Sequence, residues 1–463
     1  MSKKKKILLL SDDLRMSSGV GTVSKEFVLG TIDKYDWVQV GGAIKHPDKG
    51  KVFDMNDEVK NLKPEVEDPY LKVYPTDGYG DQEMVRALMS IEKPDAVMIY
   101  TDPRFWIWLY QMEHEIRSRV PIFYYNIWDD LPYPMWNEPY YESCDLIMNI
   151  SKQTVNIVNN VWHQNPPEDW QVTYVPHGIN QDVFKPLPAD DKGFLQFKKD
   201  SSYDLNKIEF VVFFNARNIR RKLPGDLILA FSTFVDMIPE DKRDKVMLLM
   251  HTNPRDDNGT DLIAVAEAMA KDKKVKFSTA KRSPQELNYL YNLADVTINI
   301  ASNEGFGLGT AESVMAGTPM IVNVTGGMQD QCGFRLDGKL LTAEDYAEIH
   351  SLHDRKKWKD NPRLTHGSWT KPVWPTNRSL QGSVPTPYIF DDRPSWEETA
   401  EQLYEWYQTP KEERDKAGLE GREWMLRDDT SLSSTRMCER FIEDMETAFE
   451  KWTPRKQFEI YEV

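Results

Sequence analysis

One stretch of the chain, Val296 to Gly327, permits few folds. Val296-Thr-Ile-Asn-Ile300 is an apolar run of the kind found in strands buried within parallel sheets. A turn follows with glycine at every second position, Gly305, Gly307 and Gly309. Residues 310–316 then read as a short helix, stopped by Gly317 and Pro319, and Met320-Ile-Val-Asn323 reads as the next strand before a Gly326-Gly327 loop. In open α/β sheets, ligands bind beyond the carboxyl ends of the strands. A helix start placed there offers free N–H groups to an anion, and glycine lets the main chain come close to it. Glu304 lies in the turn and Glu312 eight positions on, in the helix. Two carboxylates beside such a turn suit a ligand with both hydroxyls and phosphates, as in a nucleotide-sugar. The competing reading is a generic Rossmann turn with two surface glutamates.

A chain of 463 residues is long enough for two or three domains. Its hydrophobic content of 40%, with 11% aromatic, suffices to build their cores. Three scattered cysteines, Cys144, Cys332 and Cys438, exclude a disulfide framework and a four-cysteine zinc site, and fit a reducing compartment. No apolar run reaches the length of a membrane span. Lys3–Lys6 is followed only by Ile7-Leu-Leu-Leu10, too short for a signal peptide, so a soluble cytoplasmic chain is expected. A net charge of −16 argues against non-specific binding to nucleic acid or anionic membranes. Local basic grooves stay open at Lys3–Lys6, at Arg217 to Lys222 and at Arg355-Lys-Lys357.

Strand and helix patterns alternate through the first half. Lys6 to Leu10 reads as a buried strand, residues 12–22 as a loop holding Gly19 and Gly21, and residues 23–29 as a helix. Gly19-Val-Gly21 falls short of a full dinucleotide fingerprint, and a plain turn is the alternative. Strands follow at 37–43, 96–100 and 122–128, with a helix at 81–91 and a further one from Phe105 that is apolar nearly all round. Asp129-Asp130 stands at the end of the 122–128 strand. Helix capping or turn chemistry competes there with a catalytic role, and a hard-cation site lacks further ligands. Residues 172–186, with His177-Gly178, close this half; His177 is open to a structural reading.

Residues 187–209 are polar and rich in Pro, Asp and Lys, and read as a linker. Phe210 to Asn215 opens the second half. It leads into Arg217-Asn-Ile-Arg-Arg-Lys222, where an arginine fork and a lysine point charge would suit a diphosphate, with a merely solvated basic turn as the alternative. Residues 246–250 and 275–277 read as strands. Residues 333–385, with Trp358, Trp369 and Trp374, show little periodicity and read as an ordered insertion, after which Tyr388-Ile-Phe390 is taken as the next sheet strand. Residues 396–407, 410–427 and 431–452 read as three amphipathic helices.

Glu304-Gly-Phe-Gly-Leu-Gly-Thr-Ala-Glu312, with Ala316-Gly-Thr-Pro319 and Gly326-Gly327, resembles the E-x7-E segment of GT-B glycosyltransferases of family GT4. The resemblance extends over roughly residues 6–330 and 386–450. It implies an α/β fold of two Rossmann-like domains facing across a cleft, with C-terminal helices. Residues 1–186 would be the acceptor-side domain, 187–209 the linker, 210–430 the nucleotide-sugar domain with insertion 333–385, and 431–463 a helix crossing back. The implied activity is transfer, with retention, of a sugar from a nucleotide-sugar, expected to be a UDP-sugar, to a hydroxyl; neither a metal nor another cofactor is implied. Arg217 and Lys222 match the phosphate grip of the family, although Ala216 replaces its usual glycine and Leu223-Pro224-Gly225 a simple Lys-Gly. Glu304, Gly305, Phe306, Gly307 and Leu308 would hold the donor sugar and Glu312 the ribose. Gly19, Gly21 and His177 would complete the donor site, and Asp129 stands where a histidine is frequent, on the acceptor side.

The aromatic insertion and Tyr388-Ile-Phe-Asp-Asp392 are similar to glycosyltransferases of large tailed phages. A hydroxylated pyrimidine in DNA thereby joins glycans, proteins and small molecules as a candidate acceptor, and host cytoplasm becomes the expected location. A sugar-nucleotide epimerase of the same fold and a non-catalytic nucleotide-sugar-binding protein are the rival functions.

Overall fold

A computed structural model describes residues 3–201, 203–349 and 358–456. The basic run 355–357 lies outside the described residues. The chain forms two units, one of Met1–Gly178 with Ser434–Val463 and one of Ile179–Ser433.

The first unit is built on an eight-stranded sheet. Its strands are β1 (Lys5–Asp12), β2 (Tyr35–Ala43), β3 (Phe53–Asp54), β4 (Leu71–Asp77), β5 (Ala96–Tyr100), β6 (Ile122–Asn126), β7 (Leu146–Asn149) and β8 (Val172–Tyr174), in the order β3-β4-β2-β1-β5-β6-β7-β8. All neighbours are parallel except the short edge strand β3. The central strands carry apolar side chains on both faces, Leu8, Leu9, Val97, Met98 and Phe123 among them, so helices must cover both. Helix Gly19–Gly30 packs on helix Ser434–Lys451, with the rings of Phe27 and Phe441 4.8 Å apart. A Cβ on Gly30 would stand 2.2 Å from the Cys438 sulfur, so glycine is what allows that approach.

The second unit contains a six-stranded, fully parallel sheet of β9 (Phe210–Asn215), β10 (Val246–His251), β11 (Val275–Ser278), β12 (Val296–Asn299), β13 (Met320–Asn323) and a last strand at Thr370–Val373, ordered 11-10-9-12-13 with that last strand at the edge. Phe210, Val212 and Phe214 of β9 meet Leu227, Phe231 and Phe234 of helix Pro224–Met237, and helix Trp396–Gln408 adds Leu403 and Trp406. Between β13 and the edge strand lie three short strands, β14 (Arg335–Leu336), β15 (Lys339–Leu340) and β16 (Leu364–Thr365), which form their own small sheet. The edge strand is therefore β17, and β18 (Pro375–Ser383) and β19 (Thr386–Pro394) make a separate antiparallel hairpin.

This corrects the strand expectation. Tyr388-Ile-Phe390 belongs to the hairpin, and the sixth sheet strand is β17, inside the segment read as an insertion. Pro372 in β17 hid it: proline cannot donate to a ladder and is tolerated on an edge strand, which is where β17 lies. Within 187–209, residues Lys192–Asp200 form a helix whose Asp191 side chain accepts from the Phe194 amide at 2.7 Å, and Phe194 packs on Tyr289. The apolar stretch after Pro103 splits into a 3-10 turn, Pro103–Trp106, and a short helix, Ile107–Tyr110; Trp106 and Leu109 are buried while Phe105 and Ile107 are exposed. All three cysteines are buried free thiols.

Candidate functional site

The organising loop runs from β12 into helix Leu308–Met315 at the carboxyl end of the second sheet. The helix starts on Gly307, whose φ of +88° is a left-handed conformation that glycine adopts freely. Gly307 has no side chain with which to cap the first turn. Two further close approaches explain the glycine content. A Cβ on Gly309 would lie 2.8 Å from the Asn215 carbonyl oxygen, and one on Gly327 would lie 2.2 Å from the Gly305 carbonyl oxygen. The Gly327 amide donates to the Glu304 carbonyl at 2.9 Å, so the Gly-Gly loop is laid directly on the turn. Gln331 Nε2 donates to the carbonyls of Phe306 and Gly307, at 2.6 and 3.1 Å, and ties the turn from the other side.

Glu304 and Lys222 are buried together and form a hydrogen-bonded ion pair. The lysine comes from the 3-10 turn Arg220–Lys222 after β9. Asn299 Nδ2 lies 3.4 Å from the same Glu304 oxygen, and the Arg221 guanidinium stands 4.0 Å from the other. The two loops are stitched by their main chains as well. The Ser302 amide donates to the Arg221 carbonyl at 2.8 Å, and Arg221 Nη1 donates to the Asn303 carbonyl at 2.6 Å. Leu223 closes the turn with a φ of +49°, an uncommon conformation for a branched residue, and buries its side chain in the core.

Arg217, placed by sequence beside Lys222, is largely exposed and forks onto Asp256, Nε to Oδ2 at 2.8 Å and Nη2 to Oδ1 at 3.2 Å. That bond, with the Asn258 amide, holds the Asp256 carboxyl down at about 2. Glu312 points elsewhere: it accepts from the Tyr291 hydroxyl at 2.6 Å, and that hydroxyl accepts from Asn215 Nδ2 at 2.7 Å. Burial pushes the Glu312 carboxyl up to about 7 against the opposing pull of the Tyr291 bond.

The structure thus brings Glu304, Lys222 and the turn Gly305-Phe306-Gly307-Leu308 together, sets Glu312 in the helix that follows the turn, bonded to Tyr291, and turns Arg217 toward Asp256. Arg221, Asn215, Tyr291 and Asn303 were not singled out by sequence. Their partners lie between 21 and 87 positions away, where no motif spacing reports them.

In the first unit, helix Gly19–Gly30 is capped by Ser18, whose hydroxyl oxygen accepts from the Gly21 amide at 2.9 Å and donates to Asp12 at 2.5 Å. A Cβ on Gly21 would meet the carbonyls of Asp13 and Met16 at 2.8 Å. Tyr79 also donates to Asp12, at 2.8 Å, while buried Asp13 receives Arg15 and His46. His177 is 5% exposed, between the hydroxyls of Tyr125 at Nδ1 (2.7 Å) and Tyr100 at Nε2 (3.2 Å). Burial lowers its pKa to about 3 and keeps it neutral. Asp129 and Asp130 follow β6 in a loop where Gln153 Nε2 donates to the Asp129 carbonyl and Trp128 Nε1 to the Asp130 carbonyl. Among the described residues no group of three or more His, Cys, Asp or Glu is placed to hold a metal ion, and no helix is long and apolar enough to cross a membrane.

Residues 196–354 match the sequence model of the family Glycosyl transferases group 1. The D-inositol 3-phosphate glycosyltransferase of Corynebacterium aurimucosum is 25% identical over 222 residues, 47% of this chain and 49% of that protein. The protein of the same name from Corynebacterium urealyticum is 27% identical over 203 residues, 43% of each. The chain spans about half the length of the curated relatives it matches. Among solved structures, HepE of Anabaena in complex with UDP and glucose superposes with a TM-score of 0.62 at 12% identity, over 96% of this chain and 100% of that one. Sucrose-phosphate synthase from Thermosynechococcus elongatus gives 0.63 at 14% identity, over 96% and 100%. The chain therefore has the α/β fold of GT-B glycosyltransferases, and its residues 196–354 are similar to the group 1 domain.

Proposed function

We propose that this chain is a glycosyltransferase that moves a sugar from a UDP-sugar to a hydroxyl acceptor with retention at the anomeric carbon. The observation that carries the reading is the buried Lys222–Glu304 pair beside the helix start at Gly307, which has no side-chain cap. The matched domain and the UDP and glucose bound by HepE support the choice of donor. In this reading the amides that open helix Leu308–Met315 take the diphosphate. Lys222, already held by Glu304, neutralises the charge that grows there as the bond to the sugar breaks. Arg217 leaves Asp256 to join it. Glu304 and the turn hold the sugar hydroxyls, and Glu312 the ribose. Asp129 is the acceptor-side group.

The test is a panel of UDP-, GDP- and ADP-sugars scored for thermal stabilisation and nucleotide release. A true donor at 100 times its Kd adds about 2.7 kcal/mol to the stability of the fold. Glu312→Ala should abolish that stabilisation, and Arg217→Ala should lower turnover by about 10²- to 10³-fold. Hydroxylated DNA bases, glycans, proteins and small molecules form the acceptor screen. Conversion of the free donor to another sugar-nucleotide would replace the transferase with an epimerase. Donor binding without release to any acceptor would leave a binding protein. No stabilisation by any sugar-nucleotide would end the proposal.

A further inference from the structure

Residues 301–304 have no regular structure, yet they carry the carboxylate on which the donor reading rests. Besides the Arg221–Lys222 loop and the Gly327 amide, β19 of the hairpin holds them, and it lies beyond the segment that matches the family. Asn303 Nδ2 donates to the Phe390 carbonyl at 2.6 Å. The Asp392 amide donates to the Ser302 carbonyl at 3.2 Å. Asn323 Nδ2 bridges the Asp392 carbonyl at 2.8 Å and the Ala301 carbonyl at 2.9 Å. Three successive residues before Glu304 are thus bonded to, or bridged to, residues 390–392. Asp392 is 4% exposed, and its side chain fixes β19 in turn. It accepts from Arg378 Nε at 2.6 Å and Nη2 at 3.1 Å, on the facing strand β18, and from Thr325 Oγ1 at 3.1 Å. Neighbouring Asp391, also buried, faces Ser302 Oγ at 3.4 Å and stands 3.9 Å from Arg220 of the opposite loop.

We propose that the β18–β19 hairpin positions the sugar-binding carboxylate, with Asn303, Asp392 and Arg378 as positioning residues for Glu304. This deepens the donor reading and rests on it. Placing a group within fractions of an ångström requires that its supports be locked by packing and hydrogen bonds. The Arg378–Asp392 pair locks one end of that support and Asn303 the other.

The test separates binding of the sugar from binding of the nucleotide. Asn303→Ala and the double variant Arg378→Met/Asp392→Leu, which removes both buried charges together, are titrated with UDP and with the UDP-sugar that the panel identifies. Each should bind UDP within about twofold of the parent, and bind the UDP-sugar about tenfold more weakly, with a matching fall in kcat. Asp392→Asn, which keeps the shape and the main-chain bonds, should retain most of the affinity for the sugar. General loosening of the fold would weaken UDP and UDP-sugar alike, and that outcome would overturn the proposal. So would unchanged affinity for both ligands in Asn303→Ala and the double variant, an outcome that leaves the donor reading standing. A parent chain that binds no nucleotide-sugar would overturn both.

Discussion

Each unit sets a loop and a helix start at the carboxyl end of a central strand, and the two finish that junction differently. After β1, Ser18 caps helix Gly19–Gly30, and Asp12 and Asp13 are taken up by Ser18, Tyr79, Arg15 and His46. After β12, Gly307 brings no capping side chain, and a lysine and a glutamate are buried against each other beside it. A capped helix start spends its donors on its own chain, whereas an uncapped one keeps them for an anion. The difference teaches that a glycine at a strand-to-helix turn is by itself ambiguous; what the preceding side chain does decides whether the junction closes on itself.

The sharpest way to break this comparison is to open the buried pair. Lys222→Met leaves Glu304 buried without its partner and should cost about 3–5 kcal/mol in urea denaturation. Lys222→Met/Glu304→Leu should recover most of that while remaining inactive. A single variant of parental stability would mean that the pair is solvated. Filling the close approaches comes next. Gly327→Ala and Gly309→Ala should each cost about 1–3 kcal/mol, because the new methyl meets main-chain oxygens that cannot swing away.

Two titrating groups, one in each unit, sharpen the contrast through opposite pH dependence. His177 is held at about 3, below its ordinary 6.5, so the unfolded chain takes up a proton that the fold refuses, and stability is lost as pH falls below 6.5. Glu312 is pushed from 4.5 up to about 7, so the fold keeps a proton that the unfolded chain releases, and stability is lost as pH rises through that window. Each slope is at most about 1.4 kcal/mol per pH unit. Urea midpoints taken from about pH 5 to 6.5 should climb less with pH in His177→Gln and climb more in Glu312→Gln. The smallest effect belongs to the cap: Ser18→Ala should cost about 1 kcal/mol and leave nucleotide binding untouched.

Much of this was legible in the order of residues. The strand, turn and helix around Glu304 follow from local pattern, as do the C-terminal helices, which begin and end within three residues of their expected positions. Glycine spacing pointed to the tight turn, and Gly307, Gly309 and Gly327 each meet a conformational or steric demand there. Edge strand β17 was not legible, because one proline in a four-residue strand removes the signal that periodicity needs. The neutrality of His177 was not legible either. It depends on tyrosines 52 and 77 positions away, brought in by β6 and β5. The hairpin resembled a sheet strand in its Tyr-Ile-Phe run, and only its pairing reveals that it supports the loop instead.

The buried thiols carry a practical consequence for labelling. Burial pushes Cys332 and Cys438 up to about 12, and Cys144 in the same direction. A buried thiol of that kind stays protonated at pH 8 and reacts slowly. A cysteine introduced at Val384, 97% exposed on the β18–β19 hairpin, would react with maleimide far ahead of all three native ones. A fluorophore can therefore be attached to that hairpin in the otherwise unaltered chain, and its anisotropy would follow the arm as ligand binds.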